Sequence, residues 1–555
     1  MTPRLIECVP NFSEGRDLAV IKEITAAIES VEGVTLLDVD PGKATNRTVV
    51  TFVGAPEPVI EAAVLAGQRA KALIDMRQHH GEHPRFGAMD VCPLVPISGV
   101  SMEEAAEYAR ELGRRLGAEA GISGYFYEAA AMRPERRNLA HVRAGEYEGL
   151  ATKLADPAWA PDFGPAEFDP GYGVTAVGAR KFLIAYNVNL NTTSTRRANA
   201  IAFDVREKGR VKREPDPITG KVVRDAQGNE VWTPGTLKAV KAIGWFIEEY
   251  GVAQISINLT DIDVTPVHVA FDECVKKAAE RGIRVTGSEI VGMVPLRVLV
   301  EAGEHYLRQQ GRSLGVPHAE LVKIAIKSLG LAELSPFDPE KRVIEYAIRD
   351  RSKRRLIDQT LIGFTHETAS ESPAPGGGSV AAAVGAFGAA LGAMVANLSS
   401  HKPGWDARWE EFSSWAVQGR DRHEALLALV DEDTAAFQGI MEAWRAPADE
   451  RAARIEAATV RAIEAPLAVM REALAALDVC RAMADIGMEA STSDAAVGAL
   501  CARTAVRGAG FNVRINAKGL TDEVRKAEFL AEVERLEREA EQRETEVLAL
   551  VQRRL

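Results

Sequence analysis

Tyrosine disappears from this chain two-thirds of the way along. All nine tyrosines lie at or before Tyr346, and the last 209 of the 555 residues contain none. From about Ser370 the chain is instead rich in Ala, Glu, Arg and Leu, and only Pro373, Pro375, Pro403, Pro447 and Pro466 interrupt it. Aromatic and β-branched side chains suit pleated surfaces, whereas Ala, Leu, Glu and Arg are strong helix formers. The expectation is a multidomain protein, N-terminal α/β followed by an all-α helical bundle, divided in the charged stretch Glu340–Gln359. At about 100–200 residues per domain, a chain of this length forms several cores.

Short apolar runs alternate with amphipathic stretches in the first part. Strands are predicted at Leu5–Val9, Val34–Val39, Thr48–Val53, Val91–Ile97, Gly124–Tyr127, Lys181–Asn187 and Gln254–Leu259. Helices are predicted at Pro58–Leu73, Met102–Leu116, Val267–Ala279 and Leu296–Arg308. Several strands per helix suggest layered sandwiches with ferredoxin-like layering rather than one long parallel sheet. Two α/β subdomains (1–180 and 181–338), a linker (339–358) and a helical domain (359–555) are expected. Turn signals at Thr219-Gly220 and Gln227-Gly228 mark Asp216–Trp232 as a β-hairpin insertion.

With 67 Lys and Arg against 79 Asp and Glu, the net charge is −12, which argues against a nucleic-acid partner. The 46% hydrophobic and 26% charged residues are ordinary for globular proteins. Cys8, Cys92, Cys274, Cys480 and Cys501 form no CxxC pair, and the opening MTPRLIECVPNF has no basic-then-apolar export pattern, so a cytoplasmic location is expected. Ala374–Ser400 is uncharged and long enough to span a bilayer. Its six glycines and nine alanines against five Val and Leu favour a buried bundle helix and no membrane partner. Asp522–Leu555 reads as a long charged amphipathic helix packed on the bundle or on a subunit neighbour.

Four segments carry the residue types that chemistry needs. In His79–Arg85 (HHGEHPR), His79-x-x-Glu82-His83 matches an inverted zinc-hydrolase pattern, but Gly81 and Pro84 break the helix that pattern requires. His83 is then either a loop histidine bonded to backbone or a general acid–base beside Glu82 and Arg85. Ser372–Val380 (SPAPGGGSV) is a glycine loop opening a helix, with Gly376, Gly377 and Gly378 at its centre. It lacks the Lys of a phosphate-binding loop; it is either a close-packed helix start or a backbone platform for a ring or carboxylate. Asp433 continues the run Leu426–Val430, and as helix its neighbours would be Leu429, Val430, Ala436 and Phe437. Burial there would raise its pKa and make it a usable acid; the alternatives are a solvated acidic turn, or Asp431 as the acid. Asp162–Gly173 (DFGPAEFDPGYG) is a loop, either a linker or a site in which Phe163, Phe168 and Tyr172 line a flat ring.

The combination resembles a known family. CVPNFSEG (Cys8–Gly15), TNRTVVTFVG (Thr45–Gly54), GEHPRFGAMDVCPLVP (Gly81–Pro96), RAGEYEGL (Arg143–Leu150), WAPDFGP (Trp159–Pro165) and GARKFLIAYNVNL (Gly178–Leu190) are similar to glutamate formimidoyltransferases. SPAPGGGSVAAA, LVDEDTAAF (Leu429–Phe437) and GAGFNVRIN (Gly508–Asn516) resemble formimidoyltetrahydrofolate cyclodeaminases. Their order resembles the bifunctional formimidoyltransferase-cyclodeaminases over essentially the whole length.

That resemblance implies two consecutive folate reactions of histidine degradation: transfer of the formimino group from N-formimidoyl-L-glutamate to N5 of tetrahydrofolate, then ring closure to 5,10-methenyltetrahydrofolate with loss of ammonia. It implies His83 as the transferase histidine and Asp433 as the cyclodeaminase acid. The implied folate loop is Gly164, Pro165, Ala166, Glu167, Phe168, Asp169, Pro170, Gly171, Tyr172 and Gly173. Asp40 would pair with the cationic amidinium. Polyglutamated tetrahydrofolate is the implied co-substrate, with no metal and no redox cofactor. A homo-octameric ring is implied, in which the folate's polyglutamate tail retains the intermediate between sites; a tail of carboxylates would need basic anchors such as Lys353–Arg355. The rival expectations are a transferase preferring formylglutamate, a zinc amidohydrolase and a non-enzymatic folate-binding scaffold.

Overall fold

The computed structural model describes residues 4–43, 46–81, 85–216, 219–248, 250–349 and 355–555. By contact the chain divides into two units, Met1–Val298 with Leu329–Arg349, and Leu299–Ser328 with Asp350–Leu555.

The first unit holds two sheets. Strands β1 (Leu5–Cys8) and β2 (Asn11–Phe12) act as one interrupted strand, because Pro10 between them has no amide hydrogen to donate. Both pair with β4 (Arg47–Gly54) on one side and β5 (Met89–Ser98) on the other, with β3 (Val34–Gly42) outside β4. Beyond β5 come β7 (Thr175–Ala179) and β6 (Gly124–Glu128), the only parallel pairings among the described strands. Helices α1 (Leu18–Glu29), α2 (Pro56–Leu73) and α3 (Met102–Ala120) begin on recognisable signals. Asp17 caps α1, Pro56 opens α2, and Ser101 with Glu104 forms a reciprocal capping box on α3. Alternate residues of β4, Thr48, Val50 and Phe52, are buried, and the last two join Ile24, Val59, Met89 and Leu112 in one core.

The second sheet runs β9 (Val240–Ile247), β10 (Val252–Leu259), β8 (Ile184–Leu190), β11 (Val285–Val291), all antiparallel. Helices α4 (Thr195–Val205) and α5 (Val267–Ala279) belong to the same layer pair. Gly244 lies so close to α4 that a Cβ would stand 2.2 Å from the Asn199 amide nitrogen, and Asn199 brackets Gly244 with hydrogen bonds to its N–H and C=O. The strand predicted at Lys181–Asn187 lies three residues further on, at β8, because Lys181 is drawn into ion pairs with Asp261 and Asp263. The expected single hairpin over Asp216–Trp232 is instead two short ribbons, Arg210–Val211 with Trp232–Thr233 and Arg213–Glu214 with Lys221–Val222. Pro217 and Ile218 of that segment lie outside the described residues.

The second unit is helical. Helices α6 (Leu296–Gln309) and α7 (His318–Leu329) fall largely within it, although their sequence lies inside the range 181–338. The long elements are α8 (Gly377–Ser400), α9 (Trp409–Ala443), α10 (Arg451–Ile486), α11 (Thr492–Ala517) and α12 (Glu523–Gln552). Gly315, between α6 and α7, abuts Ala416, and the buried Arg420 of α9 donates to Glu304 and to the Leu314 carbonyl. By length and composition α8 is apolar enough to cross a membrane. Its small residues instead let neighbours approach. A Cβ at Gly388 would stand 2.7 Å from the Gly498 carbonyl of α11, and Ala393 backs onto Gly419 of α9.

Candidate active sites

In the first unit the chain on either side of residues 82–84 is tied to three other segments. Asn46 accepts from the Gly15 amide and donates to the His80 carbonyl, and the His79 ring nitrogen Nε2 sits 2.7 Å from the Asn46 carbonyl. Burial holds the His79 imidazolium below its ordinary pKa, against that hydrogen bond. Arg85 donates to the Met76 and His79 carbonyls, stacks 4.4 Å over the Tyr147 ring and pairs with Glu148. Glu82, His83 and Pro84 themselves lie outside the described residues.

Beside this loop, Asp90 is buried and faces two guanidiniums, Arg143 at 3.0 Å and Arg47 at 4.0 Å. Burial pushes its carboxyl up to about 6, against the pull of Arg143 and then Arg47. Asp40 is exposed on β3, opposite Val49 and therefore on the same sheet face as Arg47.

The loop Asp162–Gly173 is bolted down at both ends. Asp162 accepts from the Phe126 amide and forms a buried ion pair with Arg136, which also donates to the Ala158 and Ala160 carbonyls. Gly164 has φ +76°, and a Cβ there would meet the Ile122 carbonyl oxygen at 2.1 Å, so only glycine fits. At the far end the Met76 and Ala88 amides donate to the Gly171 and Tyr172 carbonyls, and Val174 donates to Phe86. The far end of the loop Asp162–Gly173 therefore lies directly beside the flanks of residues 82–84. Phe163 and Tyr172 do not line an open site. Phe163 packs on Phe126, and the Tyr172 hydroxyl shares a hydrogen bond with Thr175 in the interior. Gly164, Pro165, Ala166, Glu167 and Pro170 are exposed, with Phe168 against Tyr147 and Asp169 near Lys71.

The second unit contains a cavity of about 250 Å³ between the start of α8 and helices α9, α10 and α11. Gly376, Gly377 and Gly378 form one wall and Asp433 another. Ser379 donates to Asp433 Oδ2 at 2.9 Å, and burial raises the Asp433 carboxyl above its ordinary range despite the Ser379 hydroxyl and amide. A Cβ on Gly378 would stand 2.1 Å from Asp433 Oδ1; only a glycine admits the carboxylate here. Asp431 is elsewhere: it accepts from the Leu356 amide. Phe437 and Ile440 supply an apolar surface, and Asn512 and Asn516 complete the lining. The volume lies below the ~300–1,000 Å³ of pockets for drug-sized ligands. Of the basic cluster Lys353–Arg355, only Arg355 is among the described residues, and Asp358 holds its guanidinium. Among the described residues no group of three His, Cys, Asp or Glu is placed to hold a metal ion.

Residues 5–180 match the family model of the N-terminal subdomain of the formiminotransferase domain, residues 185–349 that of the formiminotransferase domain, and residues 360–535 that of formiminotransferase-cyclodeaminase. A formimidoyltransferase-cyclodeaminase of Mus musculus is 41% identical over 558 residues, covering 99% of each chain. The chain belongs to the formimidoyltransferase-cyclodeaminase family. As in that family, a transferase half and a cyclodeaminase half are joined in one bifunctional enzyme, and each half also matches a protein on its own. A glutamate formimidoyltransferase of Streptococcus pyogenes is 40% identical over 305 residues, covering 55% of this chain and 94% of the relative. A methenyltetrahydrofolate cyclohydrolase of Methylorubrum extorquens is 35% identical over 189 residues, covering 33% and 91%.

Against this family background, sequence reading passed over Arg47, Asp90 and Arg143 in the transferase half and Asn512 and Asn516 in the cyclodeaminase half. Two signals pointed to the asparagines: their four-residue spacing on a helix, and a proline, Pro466, in the middle of the helix they face. Nothing local marks the Arg47–Asp90–Arg143 group, whose members are brought together only by the sheet.

Proposed function

We propose that the two halves catalyse consecutive steps on one folate. In the first, N5 of tetrahydrofolate attacks the amidine carbon of N-formimidoyl-L-glutamate, and glutamate leaves through its nitrogen. In the second, N10 attacks the same carbon and ammonia leaves, giving 5,10-methenyltetrahydrofolate. A departing amine needs a proton, so each site needs an acid. His83 serves the first step, beside a folate held along Gly164–Gly173, and Asp40 pairs with the amidinium. Asp433 serves the second. The observation that carries this reading is Asp433 itself, a carboxyl held partly out of water and facing a cavity, its pKa raised by burial in the direction a proton donor needs. Neither step moves electrons, and no metal is invoked. The cyclohydrolase relative supports a folate ring-closure site in the helical half.

The test mixes the purified chain with tetrahydrofolate and either formimino- or formylglutamate, following methenyltetrahydrofolate absorbance and ammonia. Formiminoglutamate should give both products in equal amounts. 5-Formyltetrahydrofolate formed from formylglutamate, with no product from formiminoglutamate, would instead favour a formyltransferase.

The same reading includes self-association. On α8, Val380, Val384, Phe387, Leu391, Met394 and Leu398 recur at alternating four and three residues, the spacing of helix pairing, and Phe387 is 56% exposed. A second copy of the chain is the proposed occupant of this stripe. Phe387→Glu should lower the sedimentation mass; an unchanged mass would remove the stripe from the interface.

A further inference from the structure

Pro466 is buried in the interior of α10. It has no amide hydrogen, so the carbonyl four residues back, that of Ala462, loses its helical donor. Asn516 of α11 fills the gap, its Nδ2 donating to the Ala462 oxygen at 2.7 Å. One turn earlier, Asn512 Nδ2 donates to the Gly508 carbonyl at 3.0 Å. Backbone carbonyls only accept, so both carboxamides must turn their nitrogens to the backbone. Their oxygens remain as acceptors, and no described residue donates to either. Both side chains line the cavity that holds Asp433. Another wall of that cavity is the start of α8, whose first amides, at Gly377 and Gly378, have no intrahelical acceptor. The cavity thus offers fixed acceptors on one helix and backbone donors on another.

We infer that Asn512 and Asn516 are the specificity element of the cyclisation site, accepting from the N–H edge of the substrate's ring, and that Pro466 is a positioning residue that fixes Asn516 for this task. This deepens the proposed cyclodeamination and rests on it. The amino-lactam edge of a pterin carries an exocyclic amino group and a ring N–H as neighbouring donors, and its oxo group accepts. That pattern complements two carboxamide oxygens and a pair of backbone amides. Proline stands in the helix because the missing N–H hands the Ala462 carbonyl to a side chain on another helix.

The full-length chain is supplied with 5-formiminotetrahydrofolate, and methenyltetrahydrofolate is followed by absorbance. Pro466→Ala restores an N–H that competes for the Ala462 carbonyl. It should raise KM about tenfold, as expected for one hydrogen bond left unmade, with little change in kcat. Its Tm should not fall, since alanine favours helix. Asn516→Ala should raise KM similarly. With a substrate analogue lacking the 2-amino group, the wild-type KM should rise and the Asn516→Ala penalty should shrink toward unity. A KM within twofold of wild type in both variants overturns the inference. A penalty undiminished with the analogue also overturns it, and would place the asparagines on the cationic formimino group. A wild-type chain that forms no methenyl product from 5-formiminotetrahydrofolate, although in a parallel assay it consumes formiminoglutamate with tetrahydrofolate, defeats the cyclodeamination reading itself, and the inference falls with it.

Discussion

Glu7 and Asp433 are both carboxyls held away from water, and burial raises the pKa of each. Glu7 is buried in β1, and burial pushes its pKa from the ordinary 4.5 up to about 7, against the pull of Arg180. The folded state therefore holds this proton more tightly than the unfolded chain. The resulting stabilisation is fully present below about pH 4.5 and is lost as pH rises to about 7. At 1.36 kcal/mol per pKa unit the loss is roughly 3 kcal/mol. Glu7→Gln should accordingly be more stable than wild type at pH 8 and no more stable at pH 4, measured by urea unfolding. A difference independent of pH would contradict this. For Asp433, the helical neighbours Leu429, Val430, Ala436 and Phe437 suggested an apolar face, and the first three are indeed buried. Phe437, however, is 44% exposed, and part of the enclosure of Asp433 comes from Gly378 and Ser379, more than fifty residues earlier. The choice between Asp431 and Asp433 was not legible locally either. Asp431 accepts from the Leu356 amide, a contact that nothing in the local sequence marks.

At the scale of elements, the start of α8 shows what a glycine run is for. Gly378 is pinned by Asp433 at a distance no Cβ survives, whereas a Cβ on Gly376 meets nothing within 4 Å. Gly378→Ala should displace the carboxylate and cut ring closure by about 10²-fold or more, the usual worth of a positioned acid, while formiminoglutamate consumption continues. Gly376→Ala should retain both. Equal losses in the two variants would show that the glycines serve only the helix start. Helices with caps and clear periodicity were legible, such as Met102–Ala120 with its capping box and Glu523–Gln552 behind Asp522. Strand Thr175–Ala179 was not: five small residues (TAVGA) carry little local preference, and the parallel ladders of β5 and β6 hold them. Chain-breaking residues marked Asp162–Gly173 as a loop, but the burial of Phe163 and Tyr172 required knowing what lay beneath them.

Across the whole molecule, the point where tyrosine ceases falls close to a real division, since the helical unit takes in the chain from Asp350 onward. The same unit also takes Leu299–Ser328, an assignment made by packing and not by composition. Gly315 must meet Ala416, and Arg420 must reach Glu304 and Leu314, a hundred residues earlier. The residues proposed for the two steps are likewise confined to separate units, so the activities should be separable by mutation. The most direct measurement is a quenched time course of Asp433→Asn with formiminoglutamate and tetrahydrofolate, quantifying donor, 5-formiminotetrahydrofolate, methenyltetrahydrofolate and ammonia. The donor should be consumed at the wild-type rate while 5-formiminotetrahydrofolate accumulates without ammonia, and His83→Ala should consume no donor at all. Methenyltetrahydrofolate formed by Asp433→Asn at the wild-type rate would contradict the account.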